Sequence, residues 1–100
     1  MAFVPDGYNA FIVDLNYIVS LDRVDAAISD HVAFLKKNYA SGVFLTSGRK
    51  VPRTGGIIIA VAENKGQLLS ILDEDPFLKL GLAQYTITEF VPSMWAPQFE

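Results

Sequence analysis

The sequence predicts one α+β domain of the ferredoxin-like kind, with an antiparallel sheet and the element order βαββαβ. Two observations favour this fold. Segments with the alternation or the short apolar run of strands are interleaved, in that order, with segments whose apolar residues recur at helical spacing. The length of 100 residues has room for a single domain, with a core at 10–92 and tails at 1–9 and 93–100.

The first half of the chain opens with a strand and a long amphipathic helix. Residues 10–19 alternate in polarity, which is typical of a strand. After a break, Asp22 is the expected helix N-cap, and the first helical turn that follows it is acidic. The helix is expected to end near 38–40, because Ser41-Gly42 follows. Its buried stripe consists of Val24, Ala27, Ile28, His31, Phe34 and Leu35.

The middle of the chain predicts two strands and a second helix. Residues 43–47 read as a short strand, and 48–55 as a loop because they contain glycine and proline. Residues 57–62 are continuously apolar, which indicates a strand in the middle of the sheet. The helix at 65–72 has Asn64 as its expected cap.

The last part predicts a turn of helix and a final strand. Asp75 at the cap followed by Pro76 at the first helical position is the favoured order at a helix start. Residues 84–91 form the last predicted strand. Its alternation is imperfect, because the apolar residues Ile87 and Phe90 differ in parity, and we expect a bulge there.

The sheet is expected to have one face without helices, because both helices of this fold lie on the other face. The chain is 51% hydrophobic with a mean hydropathy of +0.29, so a second copy is the simplest cover for that face. We therefore expect a homodimer. The apolar residues Met94, Trp95 and Phe99 of the tail are expected to dock on the same dimer.

Composition narrows the class of protein. A net charge of −3 and a pI near 5.0 disfavour nucleic acid as a partner. The sequence has no cysteine and one histidine, so we expect no disulfide, no thiolate nucleophile, no metal site and no cofactor. No apolar run approaches the ~20 residues of a membrane helix. The first residues lack the pattern of a signal peptide, and we expect a cytoplasmic protein.

The only histidine, His31, lies on the apolar stripe of the first predicted helix. A buried imidazole needs partners for its ring nitrogens, and imidazole is the side chain that ordinarily titrates near neutral pH. His31 is therefore either a structural polar group or one member of an acid/base pair. Asp75 is open in the same way, because its carboxylate can cap a helix and can also orient an imidazole.

Other polar residues are candidates for substrate binding. Ser47, Gly48 and Arg49 begin a stretch to Gly56 that holds three of the eight basic residues but lacks the glycine spacing of a phosphate loop. This stretch either receives an anionic substrate or is a solvated loop. Asp14 either adds a polar group to a pocket between two sheets or lies at a wet sheet edge.

The ordered set of motifs resembles the YCII-related proteins, small bacterial members of the dimeric α+β barrel group. The resemblance runs from about Phe11 to Pro92. One departure is that the family often has Ser-Gly-Pro after the second strand, where this chain has Ser47-Gly48-Arg49, so the pocket there is expected to differ. The matching pieces are Arg23 and residues 31–35, 42–48, 55–56, 75–77, 81–82 and 89–92.

The resemblance implies an active-site pair, because the histidine and aspartate proposed for this role in the family match His31 and Asp75. One similar protein of the family is a dehydrochlorinase acting on a chlorinated aromatic. We therefore expect a small-molecule enzyme that works by elimination or isomerisation. The alternatives are a non-catalytic homodimer that binds a ligand or a partner protein, and a cofactor-free monooxygenase or haem-handling protein of similar architecture.

Overall fold

A computed structural model describes residues 3–100; Met1 and Ala2, the start of the predicted N-terminal tail, lie outside the described residues. The fold is a four-stranded antiparallel sheet with helices on one face, which confirms the predicted ferredoxin-like α+β class. The strands are β1 Asn9–Tyr17, β2 Phe44–Arg49, β3 Gly55–Ala62 and β4 Ala83–Phe90. The helices are α1 Leu21–Ala26, α2 Ile28–Ala40, α3 Lys65–Leu72 and α4 Pro76–Lys79, with a 3₁₀ turn at Pro97–Phe99.

The core lies between the helices and the sheet face that carries the odd-numbered residues of β1. Phe11, Val13 and Leu15 are almost fully buried there, and Ile58 and Ala60 continue the same face on β3. The strands lie in the order β2-β3-β1-β4, so β3 is central, as its apolar run predicted. Burial of apolar surface on this face is the main stabilising contribution, at about 25 cal/mol per Å².

The opposite face of the sheet is also apolar. Ile12 pairs with Ile59 across the β1–β3 ladder, and both side chains are only half-buried. In the tails, the ring of Phe3 contacts Trp95 and Phe99, with centroids 6.4 and 5.5 Å away. These contacts hold the two tails together within one chain, and the docking of the tail on a dimer stays a prediction.

The first predicted helix is two helices. The backbone leaves the helical conformation at Ala27, with φ −107° and ψ 1°, so α1 ends there and α2 begins at Ile28. The predicted cap is also wrong, because Ser20 precedes the first turn and Asp22 lies inside it. The apolar stripe continues across Ala27 without a change of period, which is why the sequence pattern did not reveal the break.

Several strand boundaries differ from the prediction. The first strand ends at Tyr17, two residues early, and β2 and β3 extend into the predicted loop, where Gly48 pairs with Ile57. Glycine was interpreted as a loop former, but here it sits within the ladder. The bulge predicted for the last strand is wrong too: β4 pairs evenly with β1, and the irregularity lies in β2, between Phe44 and Thr46.

The predicted cap of α3 is confirmed. The side-chain Oδ1 of Asn64 accepts a hydrogen bond from the backbone N–H of Gln67 at 2.8 Å, and Gln67 Oε1 accepts in return from the N–H of Glu63 at 2.8 Å. Asn64→Ala is expected to lower the free energy of unfolding by about 1 kcal/mol, because the helix loses this acceptor. Urea unfolding followed by circular dichroism measures it. Asn64→Asp, which keeps an acceptor, should stay near wild type; equal losses in both variants would contradict the capping role.

Candidate active site

His31 reaches the site from the middle of α2. Its side chain is about 90% buried, and its ring is stacked on the ring of Phe77, with centroids 3.8 Å apart and planes 4° from parallel. Phe77 is held in the first turn of α4. The stack fixes the plane of the imidazole, so the directions of its two nitrogens are set by packing.

Asp75 lies at the N-terminus of α4 and is fully buried. Its Oδ1 accepts hydrogen bonds from the backbone N–H of Phe77 at 2.9 Å and from His31 Nδ1 at 2.8 Å. The structure therefore brings together the two residues of the predicted pair, 44 positions apart in the chain. Capping and pairing are both present, and one carboxylate oxygen serves both.

The second carboxylate oxygen of Asp75 has its own donor. Tyr85, on β4, donates its hydroxyl to Asp75 Oδ2. Burial raises the pKa of Tyr85 well above its ordinary value, and the neighbouring Asp75 carboxylate raises it further. Tyr85 therefore stays a proton-bearing donor to this carboxylate. From the sequence, Tyr85 either lines a cavity or packs, and its bond to Asp75 is not predicted; in the structure it faces the helices, opposite Leu15 in the β1–β4 register.

The pairing decides which ring nitrogen of His31 carries the proton. A carboxylate oxygen that already accepts a hydrogen bond can only accept again, so Nδ1 is the donor. Among the residues 3–100, no group forms a hydrogen bond with the other ring nitrogen, Nε2. This leaves Nε2 as the atom of the pair that is available to a ligand.

A cavity of about 320 Å³ lies beside His31, between α2 and the sheet. Three of the predicted binding residues, Ser47, Gly48 and Arg49, line it. The Ser47 hydroxyl is already hydrogen-bonded to that of Tyr39. The remaining lining residues are Leu15, Tyr17, Ile28, His31, Val32, Leu35, Arg53, Gly56, Ile57, Ile58 and Phe77.

Asp14, the fourth predicted binding residue, does not line this cavity. It points to the opposite sheet face from Leu15, and its carboxylate forms an ion pair with Lys50. Lys50 also donates to Asn16 at 2.6 Å. The structure thus groups Asp14 with Asn16 and Lys50, away from the His31–Asp75 pair.

Two arginines line the cavity in different electrostatic states. The Arg53 guanidinium is hydrogen-bonded to the carboxylate of Asp25; this bond lowers the pKa of Asp25 and raises that of Arg53. The Arg49 guanidinium has no ion pair or side-chain hydrogen bond with any residue of the described part of the chain. The basic stretch is visible in the sequence, but the sequence does not show that it is the charge of Arg53 that is neutralised.

Two further features of residues 3–100 bear on the class of site. Within that range, no group of three or more histidine, cysteine or acidic side chains is placed to hold a metal ion. Over the same range, no helix has the length and apolar character needed to cross a bilayer. The candidate site therefore consists of a buried histidine–carboxylate pair beside a mostly apolar cavity.

This fold and this site define a small ferredoxin-like α+β domain with a buried histidine–carboxylate pair beside a cavity. The chain belongs to the YCII-related domain family, whose family model matches residues 10–91. That match confirms the resemblance drawn from the sequence. A search of curated proteins finds none that matches this chain.

Solved structures with similar folds include those of two enzymes. 5-Chloro-2-hydroxyhydroquinone dehydrochlorinase (TftG) from Burkholderia phenoliruptrix AC1100, in complex with 2,5-dihydroxybenzoquinone, superposes with a TM-score of 0.71 at 22% identity, over 81% of this chain and 92% of that one. A mutant of SnoaB, a cofactor-independent oxygenase from Streptomyces nogalater, has a TM-score of 0.52 at 13% identity, over 91% and 98% of the two chains. At these identities the likeness establishes the fold.

Proposed function

We propose that this protein is a small-molecule enzyme in which His31 is the general acid/base and Asp75 its orienting partner. One observation carries the proposal: Nδ1 of a buried histidine is held by a buried carboxylate, while Nε2 has no partner among residues 3–100 and the ring lines a cavity. No buried side-chain nitrogen of these residues lacks a partner, so Nε2 is accessible to a molecule in the cavity.

The reaction that fits this arrangement begins with removal of a proton. Nε2 of His31 takes a proton from an acidic C–H or O–H of a substrate in the cavity, and Asp75 stabilises the imidazolium that forms. The electron pair left on the substrate then either expels a leaving group such as chloride or is reprotonated at another atom. These outcomes are elimination and isomerisation, and neither needs a cofactor. The dehydrochlorinase activity of TftG supports the first.

Substrate binding is assigned to Ser47, Gly48 and Arg49, which line the cavity. We also propose a cytoplasmic homodimer that buries the half-exposed isoleucine face of the sheet, represented by Ile12 and Ile59. The net charge of −3 supports a small molecule, and not nucleic acid, as the partner.

His31→Asn is expected to abolish turnover while the protein stays folded. The asparagine amide can occupy the place of Nδ1 and donate to Asp75, but it has no atom where Nε2 was. General acid/base catalysis contributes about 10²–10⁴-fold, and the loss should be of that order. The assay measures chloride release from 5-chloro-2-hydroxyhydroquinone and from a panel of halogenated hydroxyaromatic compounds.

Lys36→Asn, on the exposed side of the same helix, is the matched control and should retain full turnover. The ¹⁵N shifts of the single histidine provide a readout that needs no substrate, because they report whether Nδ1 carries the proton. Wild-type turnover that persists in His31→Asn would disprove the acid/base role. Binding of panel compounds without any turnover would instead favour the non-catalytic ligand-binding module.

A further inference from the structure

The charge lining the cavity is opposite to the charge of the chain as a whole. The protein has 11 acidic and eight basic residues, yet the described residues that line the cavity include Arg49 and Arg53 and no aspartate or glutamate. The cavity is therefore a positive site on an acidic protein. A low-dielectric wall beside a cation strengthens its attraction for an anion.

The charges of the lining arginines that have no ion-pair partner indicate the charge of the ligand. Arg53 is neutralised by Asp25, which lies outside the lining. Of the two lining arginines, Arg49 is the one without an ion pair among residues 3–100. The Asp75 carboxylate is held behind His31 by three hydrogen bonds, so among the described lining residues it is the charge of Arg49 that lacks a partner, which favours a ligand with one negative charge.

The position of Arg49 directs it to the cavity. Arg49 pairs with Gly56 across the β2–β3 ladder, on the sheet face that lies under α2. Gly56 has no side chain to fill the space beside Arg49, and an added Cβ there would lie 3.1 Å from the carbonyl oxygen of Gly48. The floor of the cavity next to Arg49 is thus bare backbone.

The other lining residues indicate the polarity and size of the uncharged part of the ligand. Apart from Ser47, Tyr17, His31 and the arginines, the side chains of the walls are aliphatic or aromatic, such as Val32, Leu35 and Phe77. A volume of about 320 Å³ is at the lower end of the ~300–1,000 Å³ range of ligand sites. Such a cavity suits a molecule of one ring or a short chain.

We infer that the cavity binds a small apolar monoanion, with Arg49 as the residue that binds its anionic group. This inference rests on the proposed function only for the location of the reacting atoms, beside His31. A guanidinium binds a carboxylate or a phenolate through charge-assisted hydrogen bonds, and a carboxylate through two at once. Arg49 would hold the anion while the apolar walls hold the body next to Nε2 of His31.

The test compares acids with neutral amides of the same shape. Benzoate and hexanoate, with benzamide and hexanamide, are titrated into the full-length protein by isothermal calorimetry at low salt. At least one acid is expected to bind the wild type about tenfold or more tighter than its amide, because a hydrogen bond to a charged group is stronger than one to a neutral group. Arg49→Gln should remove that preference, and Arg49→Lys should restore part of it.

Lys36→Gln removes the same charge from an exposed site on α2 and should keep the preference. Failure of both acids to bind at millimolar concentration, equal binding of acids and amides, or a preference that survives Arg49→Gln would each overturn the inference. His31→Asn separates it from the proposed function, because that variant should keep the preference for the acid even though its turnover is lost. If His31→Asn keeps its turnover while Arg49→Gln loses the preference, the catalytic proposal fails and this one stands.

Discussion

Asp75→Ala is expected to lower the free energy of unfolding by about 3–5 kcal/mol, because three buried donors lose a charged acceptor and each such loss costs about 1–3 kcal/mol. The substitution leaves donors from His31, Phe77 and Tyr85 without their common acceptor. Since a domain of this size is stable by only about 5–15 kcal/mol, much of its stability depends on one carboxylate. Urea unfolding followed by circular dichroism measures the change.

Two variants divide this effect into its parts. Asp75→Asn keeps an acceptor oxygen and is expected to lose less than Asp75→Ala. Tyr85→Phe removes a single donor, and its expected cost is about 1 kcal/mol. An Asp75→Ala protein within 1 kcal/mol of wild type would show that the buried carboxylate contributes little to the fold, contrary to its three hydrogen bonds.

Gly55→Ala is expected to destabilise the protein by about 3 kcal/mol or more, at or above the upper end of the usual cost of overpacking. A Cβ at Gly55 would lie 1.7 Å from the carbonyl oxygen of Leu15. Both atoms belong to neighbouring central strands, where Asn16 pairs with Gly55, so neither can move without separating β1 from β3. Thermal unfolding and the dispersion of the amide NMR spectrum both report the loss.

The matched control for this prediction is Gly48→Ala on β2. No atom lies within 4 Å of a Cβ added there, and its backbone conformation is open to any residue. Gly48→Ala is expected to stay within about 1 kcal/mol of wild type, because alanine also lowers the entropy of the unfolded chain. Equal stability of the two variants would contradict the close approach at Gly55.

Patterns among residues close together in the sequence were enough to predict much of the fold. The alternation around Phe11 and the apolar run around Ile59 were enough to place the central strands, because burial on one or both faces leaves its own period. The caps at Asn64 and Asp75 were also predictable, because a helix start needs a side-chain acceptor within a few residues. At Ala27 the apolar residues keep their helical spacing across the break, so the sequence predicted one helix where the structure has α1 and α2.

The candidate site was predictable in part. The residue types of His31 and Asp75 marked them as chemically unusual, and the family resemblance paired them across 44 positions. Tyr85 was left open between lining a cavity and packing, because an aromatic residue in a strand fits both, and its bond to Asp75 was not predictable. For Asp14 the sequence left open a pocket between two sheets and a wet sheet edge; the described cavity lies under α2, on the sheet face of Leu15, and Asp14 lies on the other face beside Lys50.

The sequence by itself determined the class of fold, the order of its elements and the central place of β3. These follow from period, capping and residue type, which act over a few neighbouring positions, whereas the pairing of His31 with Asp75 was implied by the family resemblance. Only the tertiary structure decided that Tyr85 completes the hydrogen bonding of Asp75, that Asp25 neutralises Arg53 and that Arg49 has no ion pair within residues 3–100. Such pairings depend on distances between residues far apart in the chain, and those distances are set by packing the whole sheet against its helices.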